Sequence, residues 1–589
     1  MSPVSAPRVV ILAAGRLAFL STLILSALAS SARAQEGLAF ELPAVGRTSF
    51  QLTSTTLLRY RGDNYDVNAF DDDFFSLYQR LDMSLQADRL RLETRIDAFV
   101  PFVEYALGIS DCPSGIEDDA RCYPDWDVRP ERLALRWDPS SAWTLEAGDT
   151  QLVLGRGVAL SFRKVDLLGV DNALRGGHVR HRGKVLRFQA HGGLANPQNQ
   201  DPINLAIIEE PEDVVLGGSV GARVPGQIGL TAKAQAVRVW FEDNELAVEE
   251  NRAVDVWGGS LEVPALLQGK VALYAEGNVM RRTETLPGDE DVERLGRGVY
   301  GSAQLQLDRV TLLFEWKDYT DFLVAPSVLE GQPWRIYNAA PAVEYDGPQR
   351  LRGIGNQRGG GARFDYAFLP GPWAFAINSV FYGFSEEIER DPWEGIWVTH
   401  SWAEIQRRPV YTDGWTWSFN ADIGGRFEII NQPTALDEVF GLESGDLDRS
   451  IAHGRGEFVL GYGDHAFDLT IDHRFEAERA LDSETGRLDL REFEIGGTAL
   501  TYSYGIKLAV ALGLQWTDFQ PGIVDLRDEK DYIFDGRLYP SIETRWTFTP
   551  GTFISVFVGQ TPGGQICSGG ICRDVPPYEG VNVQFVGRI

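Results

Sequence analysis

The chain has 589 residues, and its 84 acidic side chains against 55 basic ones give a formal net charge of −29 at pH 7. A charge of this sign argues against nucleic acid as a partner, because neutralising phosphates requires a basic face. Glycine and aromatic residues are abundant, with 62 Gly, 31 Phe, 19 Tyr and 15 Trp, whereas Met occurs only 3 times. Such a composition favours strands and tight turns over a helical core.

The N-terminus has the three parts of a secretory signal peptide. Two arginines supply a positive segment, residues 17–29 form an apolar stretch that is too short to span a bilayer, and Ala32 and Ala34 are the small residues that signal peptidase requires. We predict a signal peptide over residues 1–34, and the alternative is an uncleaved anchor. No later run of about 18 apolar residues occurs, so the sequence predicts no transmembrane helix.

From about Ser49 to Ile589, runs of about ten residues alternate apolar and polar side chains, as the strands of transmembrane barrels do. For most of the chain the connections between the runs are alternately short, as at 182–184 and 462–464, and long, as at 104–129 and 283–296. Outer-membrane barrels have short periplasmic turns and long external loops. A soluble sheet with one solvent-exposed face would explain any single run. It would not explain why short and long connections alternate along the chain.

The sequence therefore predicts an all-β fold: a transmembrane antiparallel β-barrel of about 24 strands, within a range of about 22 to 26, in the outer membrane. We expect the barrel over residues 49–589, after a short periplasmic segment over residues 35–48. Because the alternation begins soon after the cleavage site, we expect no N-terminal plug domain. The lumen of a barrel of about 24 strands is wide, so loops must fold into it if the pore is to be selective. The best candidates for such loops are residues 155–173 and 320–357.

The alternation also assigns faces to the strands. Arg91, Glu93 and Arg95 share one face of their run, while Leu92 and Ile96 share the other. A charge on the lipid face near the midplane costs about 2–4 kcal/mol for Arg or Lys, so we expect the charged faces to point into the lumen. The candidate lumen-lining residues are Arg91, Glu93, Arg95, Asp97, Asp468, Asp472, Arg474, Arg537, Glu543 and Arg545.

Tryptophans recur near predicted strand ends, where amphipathic rings favour the headgroup level and form girdles. Any one of them could instead pack in a loop. The tryptophans in such positions are Trp137, Trp143, Trp316, Trp373, Trp415 and Trp546.

The four cysteines form two local pairs, Cys112 with Cys122 and Cys567 with Cys572. Both pairs lie in long loops, which the alternation of short and long connections places on the external side. An even number of cysteines in an exported protein predicts disulfides. The competing interpretation is a redox or metal role for residues 567–572. A four-ligand zinc site needs further His or Cys nearby, and none is local.

No motif indicates catalysis. The chain has no Gly-x-Ser-x-Gly, no His-Glu-x-x-His and no P-loop, so we predict neither an enzyme nor a cofactor. Acidic clusters in the long loops are interpreted as a solvated cell surface rather than as Ca²⁺ sites. His178, His181 and His191 are interpreted as a luminal polar network rather than as a metal site.

The last run, residues 578–589, resembles the C-terminal signal that the barrel-insertion machinery reads, although Ile589 replaces the usual terminal aromatic residue. We therefore expect that machinery as a partner during assembly and outer-membrane lipid afterwards.

Several segments also resemble a family of large uncharacterised outer-membrane barrels, a domain of unknown function. The most distinctive is the terminal Gly-Gly-x-x-Cys-Ser-Gly-Gly-x-Cys-Arg hairpin. The segments that carry the resemblance are residues 148–150, 155–160, 171–176, 563–573 and 576–581. The resemblance implies a barrel and supplies no substrate and no site residue.

Two functions remain open at this point. The first is a porin-like channel or transporter for unidentified solutes, which the barrel size and the mixed luminal charge favour. The second is a structural or secretion-linked scaffold that binds other envelope proteins.

Overall fold

A computed structural model describes most of the chain after the N-terminal region. The predicted signal peptide and the loop that holds Cys112 and Cys122 lie outside the described residues. The described residues are 38–42, 46–62, 74–101, 127–165, 170–197, 213–226, 228–242, 250–286, 290–325, 336–339, 341, 355–368, 370–385, 391–433, 444–481, 488–518, 537–562, 564–568, 571–575 and 577–589.

Nearly all of this part of the chain is β-strand. Within it, no helix is long and apolar enough to cross a membrane. The strands are β1 (Leu38–Leu42), β2 (Gly46–Arg61), β3 (Phe74–Ala87), β4 (Leu90–Pro101), β5 (Asp127–Ser140), β6 (Trp143–Thr150), β7 (Leu152–Leu154), β8 (Leu160–Phe162), β9 (Lys164–Val165), β10 (Val170–Arg182), β11 (Leu186–Pro197), β12 (Val214–Arg223), β13 (Thr231–Trp240), β14 (Glu250–Leu266), β15 (Val271–Leu286), β16 (Glu290–Gln306), β17 (Val310–Thr320), β18 (Gln357–Ala367), β19 (Trp373–Phe384), β20 (Ile396–Thr412), β21 (Trp415–Ile430), β22 (Leu447–Tyr462), β23 (His465–Leu481), β24 (Leu488–Tyr504), β25 (Leu508–Thr517), β26 (Arg537–Thr549), β27 (Thr552–Thr561), β28 (Gly564–Ser568), β29 (Ile571–Val575) and β30 (Tyr578–Arg588).

The main sheet closes on itself. It contains 26 strands, of which β1 and β9 each pair with a single neighbour and stand outside the ring, so the ring has 24 strands. Neighbours in the ring are antiparallel and mostly consecutive in the chain, and the seam joins β2 to β30 from Thr53 opposite Arg588 to Arg61 opposite Gly580. The predicted antiparallel barrel of about 24 strands is confirmed.

Large apolar side chains cover the outer face of the barrel. In β13, exposed Ala234 and Ala236 alternate with buried Gln235 and Val237, and the exposed set continues across β14 through Trp257. A closed barrel that turns such a surface outward is the form in which β-structure crosses a membrane, because its backbone hydrogen bonds are all internal. The protein is therefore an outer-membrane barrel whose outer face contacts lipid.

All six tryptophans that the sequence places near strand ends are exposed: Trp137, Trp143, Trp316, Trp373, Trp415 and Trp546. Charges also occur on this face, near the long-loop side. The Arg281 guanidinium lies 2.7 Å from the Asp255 carboxylate, and Arg238 lies 3.6 Å from it. These outward-facing charges depart from the expectation that charged faces point inward, and a charge costs little near the bilayer interface.

The short connections are tight turns. Asp413 and Gly414 join β20 to β21 with φ values of 51° and 82°, the left-handed conformation at both central residues that a two-residue hairpin requires. The prediction of a long loop at 283–296 is wrong, because β15 continues to Leu286 and β16 starts at Glu290. The two strands remain paired there although their side chains no longer alternate.

Candidate functional site

A short hairpin, residues 152–162, lies against the inner face of the barrel. We call it the inner hairpin; it consists of β7, a turn and β8, with Leu152 opposite Phe162. Two glycines shape its turn. Gly155 has φ of 60°, and a Cβ there would lie 2.2 Å from a carboxylate oxygen of Glu276; Gly157 has φ of 90°, and a Cβ there would lie 2.4 Å from the carbonyl oxygen of Ala339. Only glycine fits these two positions, because both the backbone and the space exclude a side chain.

Apolar packing fixes the inner hairpin to the wall. Val158, Leu160 and Phe162 are at most 1% exposed, and they belong to one hydrophobic cluster with inner-face residues of the wall such as Val237 and Val256. Fully burying side chains of this size contributes about 1.5–3 kcal/mol each. The inner hairpin is therefore a packed part of the barrel.

One carboxylate holds the tip of the inner hairpin. Glu276 on β15 is 2% exposed and accepts hydrogen bonds from the Arg156 backbone N–H at 3.0 Å and the Tyr274 hydroxyl at 2.5 Å. It also accepts from Nε2 of Gln235 at 2.7 Å and Nδ2 of Asn278 at 3.0 Å. The Arg156 guanidinium lies 4.2 Å above the Tyr274 ring. Four donors converge on one buried acceptor, so the position of the tip depends on Glu276.

The second loop proposed to fold inward meets the first. The Ser161 N–H donates to the carbonyl of Tyr337 at 2.7 Å, and the Ala339 N–H donates to the carbonyl of Gly157 at 2.9 Å. The Tyr337 ring stacks on Phe162 with centroids 5.3 Å apart, and its hydroxyl donates to Asp213 at 2.6 Å. Parts of residues 155–173 and 320–357 thus lie together on the inner face.

Of the candidate lumen-lining residues, four lie together on β4. Asp97 is 1% exposed, accepts a hydrogen bond from the Tyr78 hydroxyl at 2.5 Å and pairs with Arg95 at 2.5 Å. Arg91 pairs with Glu93 at 2.6 Å. All four lie on the face opposite the exposed Leu90, so the two ion pairs are on the inside of the wall.

The other candidates are distributed over two further strands. On β23, Asp468, Asp472 and Arg474 alternate with the exposed Phe467, Leu469 and Phe475, and Arg474 pairs with Glu476 at 3.1 Å. On β26, Glu543 accepts a hydrogen bond from Ser555 at 3.0 Å, Arg545 lies 3.8 Å from the centre of the Phe553 ring, and Arg537 is paired in register with Thr517. The structure does not gather these residues into one site, and their lining of an open pore stays a prediction.

Sequence reasoning missed a buried charge ladder across β21, β22 and β23. Glu428 lies 3.0 Å from Arg426 and 3.8 Å from Arg449, and Arg449 lies 2.6 Å from Glu476. The four side chains are 2–4% exposed. The signal for it is the alternation Arg426-x-Glu428, which puts opposite charges on one strand face. Which neighbouring strands supply the partners depends on register, and the sequence did not provide that.

The three histidines do not form one cluster. His178 and His191 are opposite each other on the inner face, where the His178 ring nitrogen lies 2.7 Å from Glu146. His181 is on the other face, with its ring centroid 4.6 Å from that of Trp143. In the ranges that the structure covers, no three His, Cys, Asp or Glu residues are grouped so as to hold a metal ion.

The second cysteine pair lies in the separate two-stranded sheet of β28 and β29, where Cys567 is directly opposite Cys572. Directly opposite residues of antiparallel strands have Cα atoms about 4.5–5.5 Å apart, inside the range of about 4.4–6.8 Å that a disulfide spans. We predict that Cys567 and Cys572 are bridged in the exported protein. Alkylation of both thiols without reductant, read by peptide mass spectrometry, would contradict the bridge; alkylation only after reduction is the expected result.

No protein-family model and no curated protein matches the chain. Solved structures similar to it are barrels. The siderophore receptor PirA from Pseudomonas aeruginosa is 8% identical with a TM-score of 0.42, and the match covers 92% of this chain and 80% of PirA. OpdK from the same organism, solved with vanillate, is 13% identical with a TM-score of 0.35, covering 65% of this chain and 93% of OpdK. The P pilus usher PapC translocation pore is 8% identical with a TM-score of 0.34, covering 92% of this chain and 99% of PapC. Similarity of this degree does not extend to ligands or partners.

Proposed function

We propose that the protein is an outer-membrane channel through which small solutes pass beside the inner hairpin. The observation that carries the proposal is the contrast between two parts of the inner wall. Where the inner hairpin lies, wall residues such as Val239 and Val254 are fully buried. On β23 and β26, inner-face residues such as Asp472, Glu543 and Arg545 are exposed.

This contrast supports a water-filled path on the uncovered side. A wall of 24 strands encloses more space than side chains alone fill, because diameter grows with strand number. Exposed charges of both signs on that side favour hydrated solutes over apolar ones.

The test is conductance of the purified full chain in planar bilayers. We expect discrete single-channel steps in KCl, and a variant in which residues 152–162 are replaced by a short Gly-Ser linker should give larger steps because the path widens. A folded barrel that gives no steps and does not swell liposomes with any small sugar or amino acid would contradict the proposal. Co-purification of such a non-conducting barrel with a second envelope protein would favour the scaffold function instead.

A further inference from the structure

A cavity of about 340 Å³ lies beside the inner hairpin, and four of its eleven lining residues are Arg or Lys. It is bounded by Val153 and Gly155 of the hairpin. Its charged lining residues are Arg180, Arg182, Arg187 and Lys233, and we call the space the basic cavity. The register brings these residues together across three strand pairings, because Arg182 is opposite Arg187, Arg187 is opposite Gly221, and Gly221 is opposite Lys233.

The basic cavity belongs to the inside of the wall. Gln189, which pairs in register with Arg180, donates a hydrogen bond to the Val153 carbonyl of the inner hairpin at 3.3 Å. Residues paired in register share one face, so the four cations point to the same side as the hairpin. The opposite face of the same strands carries the exposed Leu186 and Val220.

The lining of the basic cavity contains no Asp or Glu, although Asp138 and Glu146 interact electrostatically with Arg180 from outside it. An adjoining space of about 400 Å³ shares Arg180 and Arg182 and adds Arg89, Arg136 and one carboxylate, Asp138. The Asp138 carboxylate already accepts hydrogen bonds from Arg136 at 2.9 Å and from Thr144 at 2.8 Å.

Two further carboxylates near this part of the wall, Glu146 and Glu276, also have hydrogen-bond partners. Within the described part of the chain, Arg182, Arg187 and Lys233 make no side-chain hydrogen bond and no ion pair. Nε of Arg180 and Nε of Arg187 are buried without a hydrogen-bond partner. A buried donor without an acceptor costs about 1–3 kcal/mol, and like charges directly opposite each other on paired strands destabilise the sheet.

An anion in the basic cavity would relieve both costs. Guanidinium groups present several N–H donors in a planar fork that matches the oxygens of phosphate and carboxylate. Rings of Arg and Lys are the arrangement by which pores select anions. The basic cavity gathers four cations, with no acidic residue in its lining, in a chain whose net charge is −29.

We propose that the basic cavity is a binding site for a small multivalent oxyanion of the phosphate class. Its place beside the inner hairpin makes such anions a solute class for the lumen. The binding site itself stands on the four cations, and only its use in transport rests on the proposed channel function.

The test is binding of pyrophosphate to the full chain in detergent micelles, measured by isothermal titration calorimetry at low ionic strength, with chloride as the monovalent comparison. We expect pyrophosphate to bind and the double variant Arg182→Gln/Arg187→Gln to bind it at least tenfold more weakly, equivalent to about 1.4 kcal/mol. The matched control is Lys270→Gln/Lys507→Gln, which removes two exposed cations from short turns and should bind like the unaltered chain. If the double variant does not fold, pyrophosphate binding is measured on the single variant Lys233→Gln, which should also bind it more weakly.

The proposal is overturned if the unaltered chain does not bind pyrophosphate, or if the double variant binds it as tightly as the control. The two proposals can fail separately. A barrel that binds pyrophosphate without conducting ions keeps the site and removes the channel, whereas a conducting barrel that does not bind it keeps the channel and removes the site. In bilayers with a KCl gradient, we expect the reversal potential of the double variant to shift toward cation preference.

Discussion

Replacing Glu276 by alanine is expected to detach the tip of the inner hairpin from the wall. The change leaves four donors without their acceptor, among them the Arg156 backbone N–H and the Tyr274 hydroxyl. Each unsatisfied buried donor costs about 1–3 kcal/mol, so we expect at least about 3 kcal/mol of lost hairpin stability. The readouts are proteolysis within residues 152–162 and single-channel current, which should become larger and noisier.

The conservative variant Glu276→Gln keeps the shape and one acceptor oxygen, so its effect should be smaller. Asp308→Ala removes an exposed carboxylate from a short turn and serves as the control. Gly155→Ala should disturb the same contact from the hairpin, because the added Cβ would lie 2.2 Å from the Glu276 carboxylate. If Glu276→Ala and Gly155→Ala both left proteolysis and current at the level of the Asp308 control, the assignment of Glu276 as the anchor would be wrong.

Glu428→Ala is expected to have the largest effect on the stability of the barrel itself. Glu428 lies between Arg426 and Arg449, and all three side chains are almost fully buried. Removing one partner from a buried ion pair costs about 3–5 kcal/mol, because the remaining charges lose their compensation without regaining water. We expect a lower midpoint for heat-induced loss of β-structure, followed by circular dichroism in detergent.

The control for that variant is Asp472→Ala on the adjacent strand β23. Asp472 is also an inner-face carboxylate, but it is exposed, and exposed charge pairs contribute about 0–1 kcal/mol. A Glu428 variant that unfolds at the same temperature as the Asp472 variant would show that the ladder does not stabilise the wall.

Much of the fold could be predicted from local patterns, because a barrel repeats two of them. Alternation within each run separates the two faces, and short turns such as residues 462–464 mark the ends of the runs. The wrong prediction of a long loop at 283–296 has a physical cause. Beyond Arg282 the strands leave the apolar belt, so polar residues occupy both faces while the backbone hydrogen bonds between β15 and β16 continue.

The candidate site was less accessible to sequence reasoning. Arg156 and Glu276 are 120 positions apart, and nothing local to either residue indicates the other. The basic cavity did leave a signal, because Arg180-x-Arg182 and Arg187 flank a short turn that makes them neighbours. Lys233 joins them only through the intervening β12, a step that requires register.

The seam between β2 and β30 has a consequence for how the barrel forms. Leu52 and Ile589 exchange backbone hydrogen bonds of 2.9 and 3.0 Å, and nearby Arg588 contacts Gln51 across 537 positions of chain. Contacts between such distant positions form slowly, since the chain between them must be ordered first. Until the last strand arrives, β2 has an open edge that could pair with another chain. The time between the emergence of β2 and that of β30 is therefore the period in which this protein most needs protection from aggregation.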